Sequence, residues 1–294
     1  FKQKTAYEML RSLVGSEMCI RDRLDNGLMS PTLYDADNNG TVDYVYAGDN
    51  LGRLWKFDLS STDPNAWGVA FGGQPLFSTG GEPFQAPPRL GDPPPGQDGV
   101  MIYIGSGRLV TEGDKTDTAT RALYGILDKG VGELGVSHLV AQTPNTTTET
   151  IAGRTVRKGS QNAVDYATQF GWRLILPAGE RILAGAQMVG GRILFPSLAT
   201  SSDPCDIGGE GWMYELDPFT GGMPNSSIFI LGTAPAQLMA LKLKGASKSA
   251  IFLRDYGTHT GVMLSGDLLG QTDATGFRLS GGRFGRVSWR EIID

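Results

Sequence analysis

The chain reads as an all-β protein, a β-propeller, and three observations predict it. Glycine is abundant, 42 in 294 residues, and aromatic and β-branched runs recur between turn-forming clusters. Three paired-strand units follow one another, each an apolar strand, a connection, and an aromatic-bearing strand that ends in Asp. The second strands share a tail: Trp55-Lys-Phe-Asp58, Tyr124-Gly-Ile-Leu-Asp128 and Met213-Tyr-Glu-Leu-Asp217. Sheets repeated in this way are the mark of propeller blades, each a short antiparallel sheet of about four strands.

The first unit pairs Val42–Ala47 with Arg53–Leu59 across a Gly/Asp/Asn turn. The second pairs Val100–Ile104 with Ala122–Asp128, and the third Arg192–Pro196 with Gly211–Asp217. The closing aspartates lie 70 and then 89 residues apart, so insertions decorate a repeated unit. The weaker stretches Gln237–Phe252 and Gly261–Arg286 are expected to add strands. Gln85–Pro95 is expected to be a rigid, proline-rich connection, and Pro144–Thr150 an exposed polar excursion. The clear repeats are fewer than a closed ring needs, which implies a truncated propeller or two cryptic blades; residues 24–294 are read as a truncated, C-terminal portion. A β-sandwich is the alternative fold; it calls for shorter and more regular strand spacing.

Phe1–Arg23 is expected to lie outside this domain. It resembles a translated sequencing-adapter artefact and is set aside, as a fusion scar would be. It holds five Lys/Arg and three Asp/Glu, so removing it takes the net charge from −5 to −7. An acidic body argues against nucleic acid and anionic membrane surfaces as partners. Cys19 leaves with the segment, and Cys205 then stands without an internal disulfide partner. No apolar run is long enough to span a bilayer.

The richest chemistry lies at Asp35-Ala-Asp37-Asn-Asn39-Gly40-Thr41-Val-Asp43. Side-chain oxygens recur at every second residue and glycine stands sixth, which is the spacing of a calcium loop. Asp35, Asp37 and Asn39 supply side-chain oxygens, Thr41 its backbone carbonyl, and Asp43 closes the set. Position twelve is Tyr46 rather than a bidentate Glu, so the loop departs from the EF-hand. Three carboxylates suit calcium better than magnesium, which keeps several waters in a tight octahedron. Asp49 and Asp58 read as a turn aspartate and a strand-end aspartate rather than further ligands.

No enzyme signature matches the loop in strength. His138 and His259 have no acid or cysteine at catalytic spacing, and no Gly-x-Ser-x-Gly, Walker or His-Glu-x-x-His motif is present. Cys205 sits among acidic residues, which disfavour a reactive thiolate. Two alternatives share the architecture: a quinoprotein-type, pyrroloquinoline-quinone-dependent dehydrogenase, and a carbohydrate-binding propeller using Trp67 or Trp172 as sugar platforms. The first lacks an adjacent cysteine pair and an Asp/His constellation for hydride abstraction.

Four segments together resemble the C-terminal β-propeller of the PilC/PilY family of type IV pilus biogenesis and tip-adhesin proteins. They are Asp35–Leu59; Ile104-Gly-Ser-Gly-Arg-Leu109 with Asp114–Asp128; Phe170–Arg181 through Ser201-Ser-Asp-Pro-Cys205 to Gly222; and Gly285-Arg-Val-Ser-Trp289-Arg-Glu-Ile292. The resemblance implies a non-enzymatic, calcium-binding protein that opposes pilus retraction. It implies minor pilins and other pilus components as partners, contact with host or abiotic surfaces, and a place at the cell surface or pilus tip, secreted or attached to the outer membrane. By motif position it carries over Asp35, Asp37, Asn39, Thr41 and Asp43 as calcium ligands. Asn39 replaces an aspartate common in the family, which lowers the ligand charge. The ending Ser-Trp-Arg-Glu resembles the family's C-terminus.

Overall fold

The computed structural model describes residues 26–199, 209–233, 235–243, 250–255, 259–266 and 272–278. The 1–23 segment, Cys205 and the 285–292 motif fall outside them. The strands gather into four sheets, of six, five, seven and three strands.

The predicted pairs form. In the first sheet Tyr44–Gly48 runs antiparallel to Arg53–Asp58 and to Thr32–Tyr34. In the second, Val100–Gly105 pairs with Ala122–Asp128, so the closing aspartate lies opposite Val100. In the third, Arg192–Ala199 pairs with Glu210–Leu216. The weaker stretches supply Ala240–Lys242 to the third sheet and the antiparallel set Ala250–Asp255, Thr260–Gly266 and Thr272–Arg278 to the fourth. A two-sheet sandwich does not describe this arrangement.

Two connections are more regular than expected. Within Gln85–Pro95, Arg89–Gly91 is an edge strand on Val100–Gly105. The prolines flank these three residues and leave their own N–H groups free to pair. Pro144–Thr150 is exposed as expected, but it belongs to the strand Pro144–Ile151, paired with Arg154–Gly159. Threonine is β-branched and favours a pleated surface. The turn between the strands places Ala152 and Gly153 at φ 49° and 78°, as a primed hairpin turn needs.

Alternation along each strand sends side chains to both faces, and the facing surfaces of successive sheets pack together. Tyr46, Leu54 and Phe77 of the first sheet pack with Ile102, Ile104 and Tyr124 of the second. The second sheet's other face brings Met101, Tyr103 and Leu127 against Phe195, Trp212 and Tyr214 of the third. The third presents Leu194, Met213 and Leu241 to Met263 and Phe277 of the fourth. At the middle seam Trp172 lies so close to Gly125 and Gly221 that a Cβ there would fall 2.3 and 2.2 Å from its ring.

The stretch between Ala122–Asp128 and Gly171–Ile175 leaves the second sheet and returns. Leu134–Gly135 pairs with Phe77–Ser78 of the first sheet. The hairpin of Pro144–Ile151 and Arg154–Gly159 then joins Ala240–Lys242 of the third.

Among the described residues two carboxylates are buried completely, Asp49 and Glu215. Glu215 accepts the Ser227 hydroxyl at 2.5 Å and the Ile228 N–H at 2.9 Å, with Arg192 Nε 3.6 Å away. Desolvation pushes its carboxyl up to about 7, against the opposing pull of those hydrogen bonds and of Arg192. The native state therefore holds more protons at this site than the unfolded chain between the ordinary glutamate range and about pH 7, and stability falls as pH rises through that window. Glu215→Gln is expected to stabilise the protein at pH 8 by about 1–2 kcal/mol, with the gain shrinking towards zero at pH 5. Thermal unfolding at the two pH values checks this; an equal shift at both would contradict it.

Candidate metal centre

The Asp35–Asp43 loop joins the edge strand Thr32–Tyr34 to Tyr44–Gly48, and backbone hydrogen bonds fix its exit. The Asp43 N–H donates to the Tyr34 carbonyl at 3.0 Å, and the Asp43 carbonyl accepts the Leu59 N–H at 2.7 Å. Asn38 and Gly40 take φ of 57° and 89°, the left-handed region that glycine enters freely and asparagine tolerates. Gly40 thus supplies the sharp turn expected at the sixth position.

That turn folds the acids together. Asp35, Asp37 and Asp43 each place a carboxylate oxygen within 4.8 Å of the others. Backbone N–H groups hold them: Asn39 donates to Asp35 and Asp37 at 3.1 Å each, Gly40 to Asp35 at 2.8 Å, and Ala36 to Asp43 at 2.7 Å. Asn39 runs along the loop, its Nδ2 donating to Asp37 at 2.8 Å while its Oδ1 accepts the Thr41 N–H at 2.7 Å and the Thr41 hydroxyl. Of the five expected ligands, then, three carboxylates converge, and Asn39 and Thr41 brace the turn beside them. Among the described residues no Lys or Arg forms an ion pair with these acids. Three like charges this close repel, by about 1 kcal/mol per pair even in water-like surroundings. A hard, all-oxygen donor set without a protein counter-ion fits a divalent cation.

The neighbouring candidates take structural parts. Asp49 is fully buried in the turn, accepting from the Leu51 and Arg53 N–H groups and from Trp55 Nε1 at 2.9 Å. Asp58 accepts from Ser60. His138 Nδ1 accepts the Gly135 N–H, and its ring stands edge-on to Phe170. His259 is exposed. Trp172 is buried and cannot serve as a sugar platform; Trp67 is half-buried and donates to the Ser61 carbonyl.

The sequence did not disclose the polar links between distant segments. Tyr46 donates to Asp128, Tyr124 to Glu82 and Tyr214 to Glu180, at 2.7, 2.9 and 2.8 Å. Arg157 pairs with Glu180 and lies 3.6 Å from the Trp212 ring centre. A tyrosine inside an apolar strand signals a hydroxyl in search of a partner. The partners stand 82, 42 and 34 residues away, beyond the reach of local spacing.

A family model described as the PilY1 beta-propeller domain matches residues 13–164, just over half of the chain. The type IV pilus biogenesis factor PilY1 of Pseudomonas aeruginosa strain UCBPP-PA14 is 33% identical over 264 residues, covering 71% of this chain and 23% of that protein. A PilY1 homolog of Xylella fastidiosa strain Temecula1 is 31% identical over 293 residues, 92% of this chain and 22% of that one. The chain therefore spans less than a quarter of the length of these relatives. The crystal structure of the Pseudomonas aeruginosa PilY1 C-terminal domain superposes with a TM-score of 0.73 at 25% identity, covering 88% of this chain and 62% of that domain. With the ordered sheets described above, these matches show that the chain belongs to the PilY1 family of type IV pilus biogenesis factors and folds as its β-propeller domain.

Proposed function

We propose that the chain is the calcium-binding β-propeller module of a type IV pilus protein, in which occupancy of the Asp35–Asp43 loop favours pilus extension over retraction and supports surface attachment. The observation that carries this reading is the convergence of three carboxylates, with no ion-pair partner among the described residues, in a loop bonded to two strands. Asp35, Asp37 and Asp43 would hold the ion, with Asn39 and the Thr41 carbonyl completing the oxygen set. Bound calcium neutralises the repulsion among the acids. The chain's part is to transmit that change: Asp43 is bonded through its backbone to Tyr34 and Leu59, so the loop and the first sheet order together.

The relatives are named as pilus biogenesis factors, which supports a binding role over an enzymatic one. Pilus components, including minor pilins, are the partners this reading implies, with action at the cell surface or pilus tip. No helix among the described residues is long and apolar enough to cross a membrane.

Isothermal titration of the chain with calcium chloride is expected to show one site, abolished by Asp35→Ala with Asp43→Ala. Undiminished binding by that double variant would sink the assignment. Free calcium at a hundredfold excess over Kd should also stabilise the wild-type fold by about 2.7 kcal/mol, and leave the variant unmoved.

A further inference from the structure

The residues on either side of the loop reach past it into the second sheet. Tyr34 precedes Asp35 and Tyr44 follows Asp43; the two face each other in register and stack at 6.5 Å with their planes 29° apart. The Lys56 ammonium lies 4.1 Å from the Tyr44 ring centre and 2.8 Å from Asp128 Oδ2. Asp128 closes the strand Ala122–Asp128 of the second sheet and is 3% exposed. Tyr46 donates to the same oxygen at 2.7 Å, and the Gly130 N–H to the other at 2.9 Å. A second brace joins the edge strand to the second sheet, where the Thr32 hydroxyl donates to the Pro88 carbonyl at 2.6 Å.

We infer that Lys56 is a positioning residue that makes calcium occupancy of the loop and closure of the seam between the first and second sheets a single coupled equilibrium. The inference rests on the calcium reading above. Without a cation the three carboxylates repel and favour an opened loop. Opening separates Tyr34 from Tyr44, and Tyr44 is the platform under the Lys56 ammonium. Lys56 in turn is the counter-ion of a buried carboxylate, which is costly to leave unpaired. A closed loop therefore favours an intact Lys56–Asp128 pair, and an intact pair favours a closed loop. Coupling of this kind is reciprocal, so each event shifts the other by the same factor.

The sign of one substitution separates this from plain electrostatics. Removing a positive charge near an acidic loop should, by Coulomb's law alone, tighten calcium binding. Coupling predicts the reverse. Titration of the whole chain with calcium chloride is expected to show Lys56→Met binding calcium about tenfold more weakly than wild type. Unchanged or tighter binding would overturn the inference while leaving the metal site standing. Hydrogen exchange on the wild-type chain gives a second measure that needs no variant. Calcium should slow exchange across residues 122–130 as well as 34–48. Slowing confined to the loop would count against coupling, and absence of any calcium binding would remove the calcium reading and this inference together.

Discussion

Trp172→Ala is expected to destabilise the protein by about 3–5 kcal/mol, the range for emptying a large aromatic site in a packed core. The ring is fully buried, 6.2 Å from the Tyr103 ring, and its Nε1 donates to the Pro218 carbonyl at 2.9 Å. Its near neighbours include Gly125 and Gly221, which have no side chains to swing into the space. Collapse would require backbone movement, so the cost should fall at the high end of that range. Trp172→Phe keeps most of the volume and strands only the Pro218 carbonyl, and should lose about half as much. Urea unfolding followed by circular dichroism reads both; a loss under about 1 kcal/mol for the alanine variant would show that the seam repacks without the indole.

Glu180→Ala should cost a similar 3–5 kcal/mol by a different route, because it leaves the partly buried Arg157 cation without its carboxylate and empties a buried site. Glu180 is 2% exposed and accepts from Ser197 Oγ at 3.0 Å and Tyr214 at 2.8 Å, besides pairing with Arg157. Arg157 would keep its place on Trp212 and its 3.0 Å contact to the Tyr214 hydroxyl, but without a counter-charge. Replacing both residues, Glu180→Ala with Arg157→Met, removes the stranded charge and should recover a large part of the loss. A double-mutant cycle measures this. A double variant no more stable than Glu180→Ala alone would mean that Arg157 is not the source of the penalty.

What was legible in the chain follows from which signals are local. Strands with strong apolar patterns announce themselves, since Val100–Gly105 and Ala122–Asp128 each carry a continuous apolar run. The candidate metal loop was equally plain, because its acids lie within nine residues and Gly40 marks the turn. Long-range pairing was hidden. Nothing local says that Leu134–Gly135 turns back to the first sheet, or that the threonine-rich strand Pro144–Ile151 belongs to the third. The sugar-platform reading of Trp172 failed for a related reason: an aromatic residue looks alike in sequence whether it faces solvent or two glycines of other segments. The acid partners were missed because Asp128, Glu82 and Glu180 meet their tyrosines only once segments 34 to 82 residues apart come together.

The excursion between Ala122–Asp128 and Gly171–Ile175 changes how the molecule bears load. Sheets built from contiguous sequence can peel away one at a time when a chain is pulled, each loss leaving its neighbour whole. Here the second sheet cannot release its last strand without dragging on pairings in the first and the third. Tension is shared by three sheets through a strap woven into the chain itself, and they should yield as one mechanical element. The same weaving delays assembly, since its contacts form only after distant segments have met.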